Sequence, residues 1–440
     1  MESVTVIAIA VVLVIVLIIA GMPVGFAFGV AAFVPIFWLG HPSTYAVPSA
    51  LKLLQSFALL AAPMFIIAGM LMKEGQIAAK LLDFADSIVG WIKGGLGVVT
   101  TVTCGVFGAI SGTSAPAIAA IGSIMIPRME KEGYDRGYAT GLVACASLLC
   151  LLIPPSVPMI IYALIARQSV AICFLSTIVP GLLIIISYSI INFVVCRRNP
   201  NIKVVPKASF QRRAVTVGHN FVWAFPALLV PFIILGGIYG GVFTPTEAAA
   251  VAAIVALPIG FFIYRSLTLK KVGNTLVEAT TIMGTIAILF FFIFMFSRFL
   301  IWERLTDDIV DFIFAISANK YVVLAMLNVT MIIMGMLMDD ASGTILAAVI
   351  LLPIAREIGV SPVHFAAIVG VNMGLGNVTP PTAPLLYMAG RIGGNLPLSE
   401  YIKPALMFMI FGSLPVLIIT TYLPQVSLFL PHLLYDYPLH

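Results

Sequence analysis

The chain is 440 residues long, 61% hydrophobic and only 9% charged, whereas about a quarter of the residues of an ordinary soluble protein carry charge. So little charge excludes a soluble globular protein. The excess of 23 Lys and Arg over 18 Asp and Glu, a net +5, reads as membrane-topology signal rather than nucleic-acid affinity, because no basic run is interleaved with aromatics.

In chain order, segment 1–21 has no basic leader region and no cleavage-site pattern, so a retained first span is expected there. A crossing takes roughly 20 apolar residues, which gives on the order of ten crossings in this length. Further spans are expected at about 22–39, 54–72, 139–165, 170–195, 221–241, 247–264, 277–297, 363–388 and 404–424. Two apolar segments, 98–126 and 325–353, do not fit that scheme. A polar cluster interrupts each: Ser111-Gly112-Thr113-Ser114 in the first and Asp339-Asp340-Ala341-Ser342-Gly343-Thr344 in the second. Both read as re-entrant helical hairpins that place irregular backbone inside the protein. Between Lys80 and Lys93, Leu81, Leu82, Phe84, Ile88 and Trp91 alternate with charges, as in an interfacial amphipathic helix or a plain loop helix. Cys104, Cys145, Cys150, Cys173 and Cys196 lie mostly in apolar stretches without metal-ligand spacing and imply no disulfide framework.

Loop charge tests this topology. With the N-terminus outside, 17 of the 23 Lys and Arg fall in cytoplasmic segments. The densest basic stretch, within 196–220, is a cytoplasmic linker between two halves, 1–195 and 221–440.

Across that linker the sequence repeats itself at an offset of 226 residues. Ile126-Pro127 falls on Leu352-Pro353, Gly133 on Gly359, Pro154-Pro155-Ser156-Val157-Pro158 on Pro380-Pro381-Thr382-Ala383-Pro384, and Ala163 on Ala389. The first half begins outside and the second inside, so the two are related by inversion. Inverted repeats with interrupted helices are a signature of secondary transporters. The fold class expected is therefore all-α and polytopic, with a re-entrant hairpin and a Pro-broken helix (139–165 and 363–388) in each repeat.

Proline has no N–H to give a helix. Pro154, Pro155 and Pro158 therefore free the carbonyls of Cys150, Leu151 and Pro154, and Pro380, Pro381 and Pro384 those of Gly376, Asn377 and Pro380. Unpaired carbonyls inside a membrane are costly unless something binds them. Together with the hydroxyls of Ser111, Thr113, Ser114, Ser342 and Thr344 and the carboxylates of Asp339 and Asp340, they suit a hard, weakly charged cation such as Na⁺. The same breaks create helix N-termini that favour an anionic substrate group. Plainer alternatives stand beside these readings. Ser and Thr hydroxyls in membrane helices bond back to their own backbone, and Asn372 and Asn377 suit interhelical hydrogen bonds. Arg298 reaches either a substrate carboxylate or the periplasmic surface.

Several motifs occur together in order: Gly21-Met22-Pro23-Val24, the run Gly108-Ala109-Ile110-Ser111-Gly112-Thr113-Ser114, and Ile153-Pro154-Pro155-Ser156-Val157-Pro158-Met159. In the second half they are followed by Gly335-Met336-Leu337-Met338-Asp339-Asp340, Pro362-Val363-His364-Phe365 and Val378-Thr379-Pro380-Pro381. Over nearly the whole chain this set resembles the large membrane subunit of tripartite ATP-independent periplasmic (TRAP) transporters. The chain departs from the family's usual pattern at Ser147-Leu148-Leu149-Cys150-Leu151, at Pro116 and at Thr382-Ala383-Pro384.

The resemblance implies a sodium-driven importer of carboxylic acids, such as a C4-dicarboxylate or sialic acid, in a bacterial inner membrane. It also implies an elevator in which a transport domain moves against a scaffold. The implied partners are a small four-helix membrane subunit, of Q type, and a periplasmic substrate-binding protein, of P type. Candidate sodium ligands are then Ser111, Thr113, Ser114, Ile153, Ser156 and Pro158 in one half and Asp339, Asp340, Gly376, Thr379 and Thr382 in the other. Candidate substrate contacts are Ser114, Ser156, Asn377, Thr382 and Arg298. Sodium is the coupling ion, and no cofactor or transition metal is expected. Two other functions compete. A membrane prenyltransferase would use the acidic cluster Asp307, Asp308 and Asp311 for Mg²⁺, although no second acidic motif accompanies it. An ion channel would need a carbonyl filter loop, and none is evident.

Overall fold

The computed structural model describes all residues except Met1, Leu39, His41, Pro42, 203–209, Glu303, Arg304 and His440, and excludes the side chains of 2–4, 7–8, 43–45, 58, 78, 210–214 and 305–308. The described residues form helices joined by turns. Among them, six helices are long and apolar enough to cross a bilayer, or seven if Arg136–Leu152 and Val157–Ala166, bent by 40° at their junction, count as one span. Among the described residues, unbroken crossings are thus fewer than apolarity alone suggests. The expected spans 22–39 and 54–72 are the shorter helices Val24–Trp38 and Ala61–Glu74. Segment 363–388 is divided into Pro362–Gly376 and Pro384–Ile392. The reason lies in the backbone: apolarity sets which residues sit in lipid, whereas glycine and proline set where a helix stops.

Helices also enter the basic linker from both sides. Val170–Arg198 ends on Arg197 and Arg198, whose charges complement the helix dipole, and Phe210–Tyr239 begins after 203–209. The expected amphipathic helix runs Ile77–Val89 and is held by side chains. Leu81 and Leu82 are buried, the Phe84 and Phe221 ring centroids are 5.5 Å apart, and Arg128 reaches Asp86 at 2.5 Å. Burial raises the Asp86 carboxyl above its ordinary value, with the Arg128 guanidinium acting in the opposite direction.

Element boundaries recur at the 226-residue offset. Gly95–Ser111 and Lys320–Leu337 end at equivalent positions. The next helices begin at Ser114 and Asp340, and their continuations end at Lys131 and Glu357. The broken helices begin at Arg136 and Pro362. The turns between them place Gly133 and Gly359 at φ +90° and +73°, a region that favours glycine. The Pro154–Pro155 and Pro380–Pro381 peptide bonds are both cis.

Each hairpin packs on its broken helix through glycine. A Cβ on Gly108 would lie 2.6 Å from the Cα of Cys150, and one on Gly376 would lie 2.6 Å from the Cα of Gly335. Gly69 of Ala61–Glu74 packs as closely on Ser111, where a Cβ would come within 2.8 Å of the Cα. Small residues let these backbones approach, as membrane packing without a hydrophobic driving force requires.

Candidate functional site

Two hairpin tips and two helix breaks form the site. At the first tip Gly112 takes φ +65°, Thr113 is extended, and a new helix starts at Ser114. At the second, Met338 is extended and Asp339 caps the helix Asp340–Leu346. The Asp339 carboxylate accepts from the Ala341 N–H at 3.1 Å and from the Ser342 hydroxyl, which is ordinary N-cap chemistry. Asp340, one residue on, points across the site. Its Oδ2 accepts from the Ser114 hydroxyl at 3.1 Å, and its Oδ1 accepts from the Asn377 amide. Ser114 and Asp340 are 226 residues apart, so equivalent positions of the two halves touch. The first tip is tied to its own break by the Val157 N–H, which donates to the Gly112 carbonyl at 3.0 Å.

The breaks leave oxygen atoms without hydrogen. Among the described residues, the carbonyls of Ile153, Pro154 and Pro155, and those of Val378, Thr379 and Pro380, accept no hydrogen bond. Two expected carbonyls are corrected. Gly376 accepts from the Thr379 N–H at 2.9 Å, because the chain tightens into a turn before its prolines, and Asn377 accepts at 3.3 Å from the Leu385 N–H of the helix that follows them. Side-chain oxygens add to the set: Ser156 Oγ, Thr382 Oγ1 and Asn377 Oδ1 are buried without a partner. Ser111 and Thr379 donate to the carbonyls of Thr113 and Leu375, at 3.2 and 2.7 Å, and keep lone pairs for a further contact. Buried oxygens that lack a donor are uncommon. A set made of carbonyls, hydroxyls and carboxylates fits a hard cation. Among the described residues no group of three or more His, Cys, Asp or Glu can hold a metal.

A cavity of about 570 Å³ lies between the tips and the helices Ala61–Glu74 and Leu269–Trp302. Of the expected residues, Thr113, Ser114, Pro158, Asp339, Asp340 and Asn377 line it. Arg298 does not, and its Nε is buried without a partner elsewhere on the long helix. Sequence reading missed three polar lining residues, Lys73, Glu278 and Thr285. Lys73 counts there only as a topology charge. Glu278 carries a usable signal, an acid at the start of an expected span, and Thr285 has none. Asp311 is exposed, and the side chains of Asp307 and Asp308 lie outside the described set.

The family model described as the DctM component of the tripartite ATP-independent periplasmic transporter matches residues 11–426. The C4-dicarboxylate TRAP transporter large permease protein DctM of Pseudomonas aeruginosa is 36% identical over 390 residues, which cover 87% of this chain and 89% of that protein. The isethionate TRAP transporter permease protein DctMQ of Oleidesulfovibrio alaskensis is 35% identical over 416 residues. That match covers 94% of this chain, and the chain spans 64% of the longer relative. In fold the chain is similar to the YdaH transporter of Alcanivorax borkumensis, with a TM-score of 0.64 at 14% identity over 90% of each chain.

Proposed function

This chain belongs to the family of the DctM component of tripartite ATP-independent periplasmic transporters, and on that premise we propose that it is the large membrane subunit of a sodium-coupled carboxylate importer. The relatives are transporter permeases and not enzymes, so the prenyltransferase reading of Asp307, Asp308 and Asp311 is dropped, and a channel with it. The substrate is an organic acid carried as its carboxylate. It is delivered by a P-type periplasmic binding protein to a complex with the small Q-type subunit in the bacterial inner membrane.

The observation that carries this reading is the contact between Ser114 and Asp340, together with the unpartnered oxygens of Ser156 and Thr382 at the two breaks. Both pairs obey the same 226-residue offset, and that supports two inverted repeats, 1–195 and 221–440, joined by 196–220. Each half brings one tip and one broken helix, which together form the transport body. The helices Ala61–Glu74 and Leu269–Trp302 belong to the scaffold it moves against. In this reading Ser111, Ser114 and the 153–158 backbone hold one sodium ion, and Asp340, Thr379 and Thr382 hold the other. Bound sodium supplies positive charge beside the tips. The carboxylates hold that charge in place, and the chain's own donors orient the anion.

The test is uptake into proteoliposomes containing this chain, its small subunit and its binding protein. An inward sodium gradient is expected to raise initial uptake at least about tenfold over a collapsed gradient, as a coupling of roughly 1.4 kcal/mol or more requires. Equal uptake in both conditions rejects the proposal. Within the same assay, Thr379→Val is expected to raise the half-saturating sodium concentration several-fold, because the hydroxyl is lost while the β-branched shape remains. Unchanged sodium dependence would remove Thr379 from the site.

A further inference from the structure

The charge pattern of the cavity bears on which acids it takes, an inference that rests on the transport reading above. Fifteen of its 23 lining residues are apolar. Ile282, Ile286, Leu289 and Phe290 form one wall along Leu269–Trp302, and the helical rise makes the lined stretch from Glu278 to Leu289 about 16 Å long.

Lys73 is the single cationic side chain among the lining residues, against Glu278, Asp339 and Asp340. It lies one helical turn beyond Gly69, the residue that packs on Ser111. Its Cα is therefore about 6 Å along the helix from the first tip, a distance the lysine side chain spans. Both tip carboxylates already have donors. Asp339 accepts from Ala341 and Ser342, and Asp340 from Ser114 and Asn377.

A ligand entering this cavity loses water. The two sodium charges at the tips are balanced by the carboxylates of Asp339 and Asp340, so Lys73 is the cation left for a ligand. A dicarboxylate needs a cation or several donors at each end, and Lys73 answers one end. A polyhydroxylated acid needs a partner for every hydroxyl it buries, and an aliphatic wall offers none. We propose that the cavity takes a monocarboxylate with a compact apolar body, and that Lys73 is the specificity-determining residue that pairs its carboxylate.

The experiment is thermal unfolding of the full chain in nanodiscs of phosphatidylethanolamine and phosphatidylglycerol, in sodium or potassium chloride. The probes are α-ketoisocaproate, succinate and N-acetylneuraminate. In sodium, α-ketoisocaproate is expected to raise the midpoint by about 3 °C and to bind about tenfold more tightly than either other acid. Lys73→Met should lose that shift and Lys73→Arg should keep it, while both retain the wild-type response to sodium alone, which shows that they fold. A shift from succinate or N-acetylneuraminate as large as that from α-ketoisocaproate overturns the substrate class, and so does a full shift in Lys73→Met. In either case gradient-driven uptake still upholds the transport reading. No shift from α-ketoisocaproate in sodium also overturns the class, and if the gradient fails to drive uptake as well, the transport reading falls with it.

Discussion

Asp340→Asn is expected to abolish sodium-driven uptake while leaving the protein folded, and Asp340→Ala is expected to abolish uptake and weaken the junction between the tips. Asp340 accepts two hydrogen bonds, from Ser114 of the opposite hairpin and from Asn377 at the second break. Asparagine removes the charge but keeps an oxygen of the same shape for one of them. Alanine removes both acceptors, and each donor left buried without a partner costs about 1–3 kcal/mol. The charge matters separately. A cation about 4 Å from a carboxylate in a partly solvated protein site gains on the order of 4 kcal/mol, so its loss moves sodium binding by about two to three decades. Sodium titration of uptake, run beside thermal unfolding, separates these effects. Wild-type sodium dependence in Asp340→Asn would falsify the assignment of Asp340 to the ion.

Gly376→Val is expected to destabilise the second half by about 3 kcal/mol or more, near or beyond the upper end of ordinary overpacking. The Cβ alone would lie 2.6 Å from the Cα of Gly335 and 2.9 Å from the carbonyl carbon of Gly335 and the carbonyl oxygen of Ile332. All three are backbone atoms of the hairpin arm, which cannot swing aside as a side chain does. The arm and the broken helix must separate, carrying Asn377 away from Asp340. Gly284→Ala is the matching control. It sits in the interior of Leu269–Trp302, and a Cβ there meets nothing within 4 Å. That substitution should be neutral or stabilise by about 0.5–1 kcal/mol. A Gly376→Val midpoint indistinguishable from that of Gly284→Ala would show that the close crossing is not rigid.

Much of the site was legible in the chain because its signals are local. Pro154, Pro155, Pro380 and Pro381 mark the breaks by lacking an N–H, and Gly112 and Asp339 mark the tips as a left-handed C-cap and an N-cap. Local reading went astray where the backbone had a second option. Gly376 and Asn377 were expected to be left without donors, yet a tightened turn supplies Gly376 with one and the Leu385 N–H supplies Asn377. Arg298 was drawn to the site by its charge alone, and the helix that carries it turns it elsewhere. Lys73 reads as an ordinary boundary charge, and the acid Glu278 at the start of its span acquires a place in the site only when two distant helices lie side by side.

By itself the sequence determined that the protein lives in a bilayer, where its helices break, and that the breaks recur at one offset. These depend on composition and on groups within a turn of each other. Only the tertiary structure decided that Asp339 caps its own helix while Asp340 crosses to Ser114, and that the tips share a cavity with Lys73. Adjacent acids are chemically alike, and their roles differ because Asp339 is the extended N-cap residue, whose carboxylate turns back to the Ala341 N–H, while Asp340 is the first residue of the helix. Which of them meets a partner 226 residues away is settled only when the two halves pack together, where a Cβ on Gly374 would lie 2.8 Å from the Cβ of Leu148 in the other broken helix.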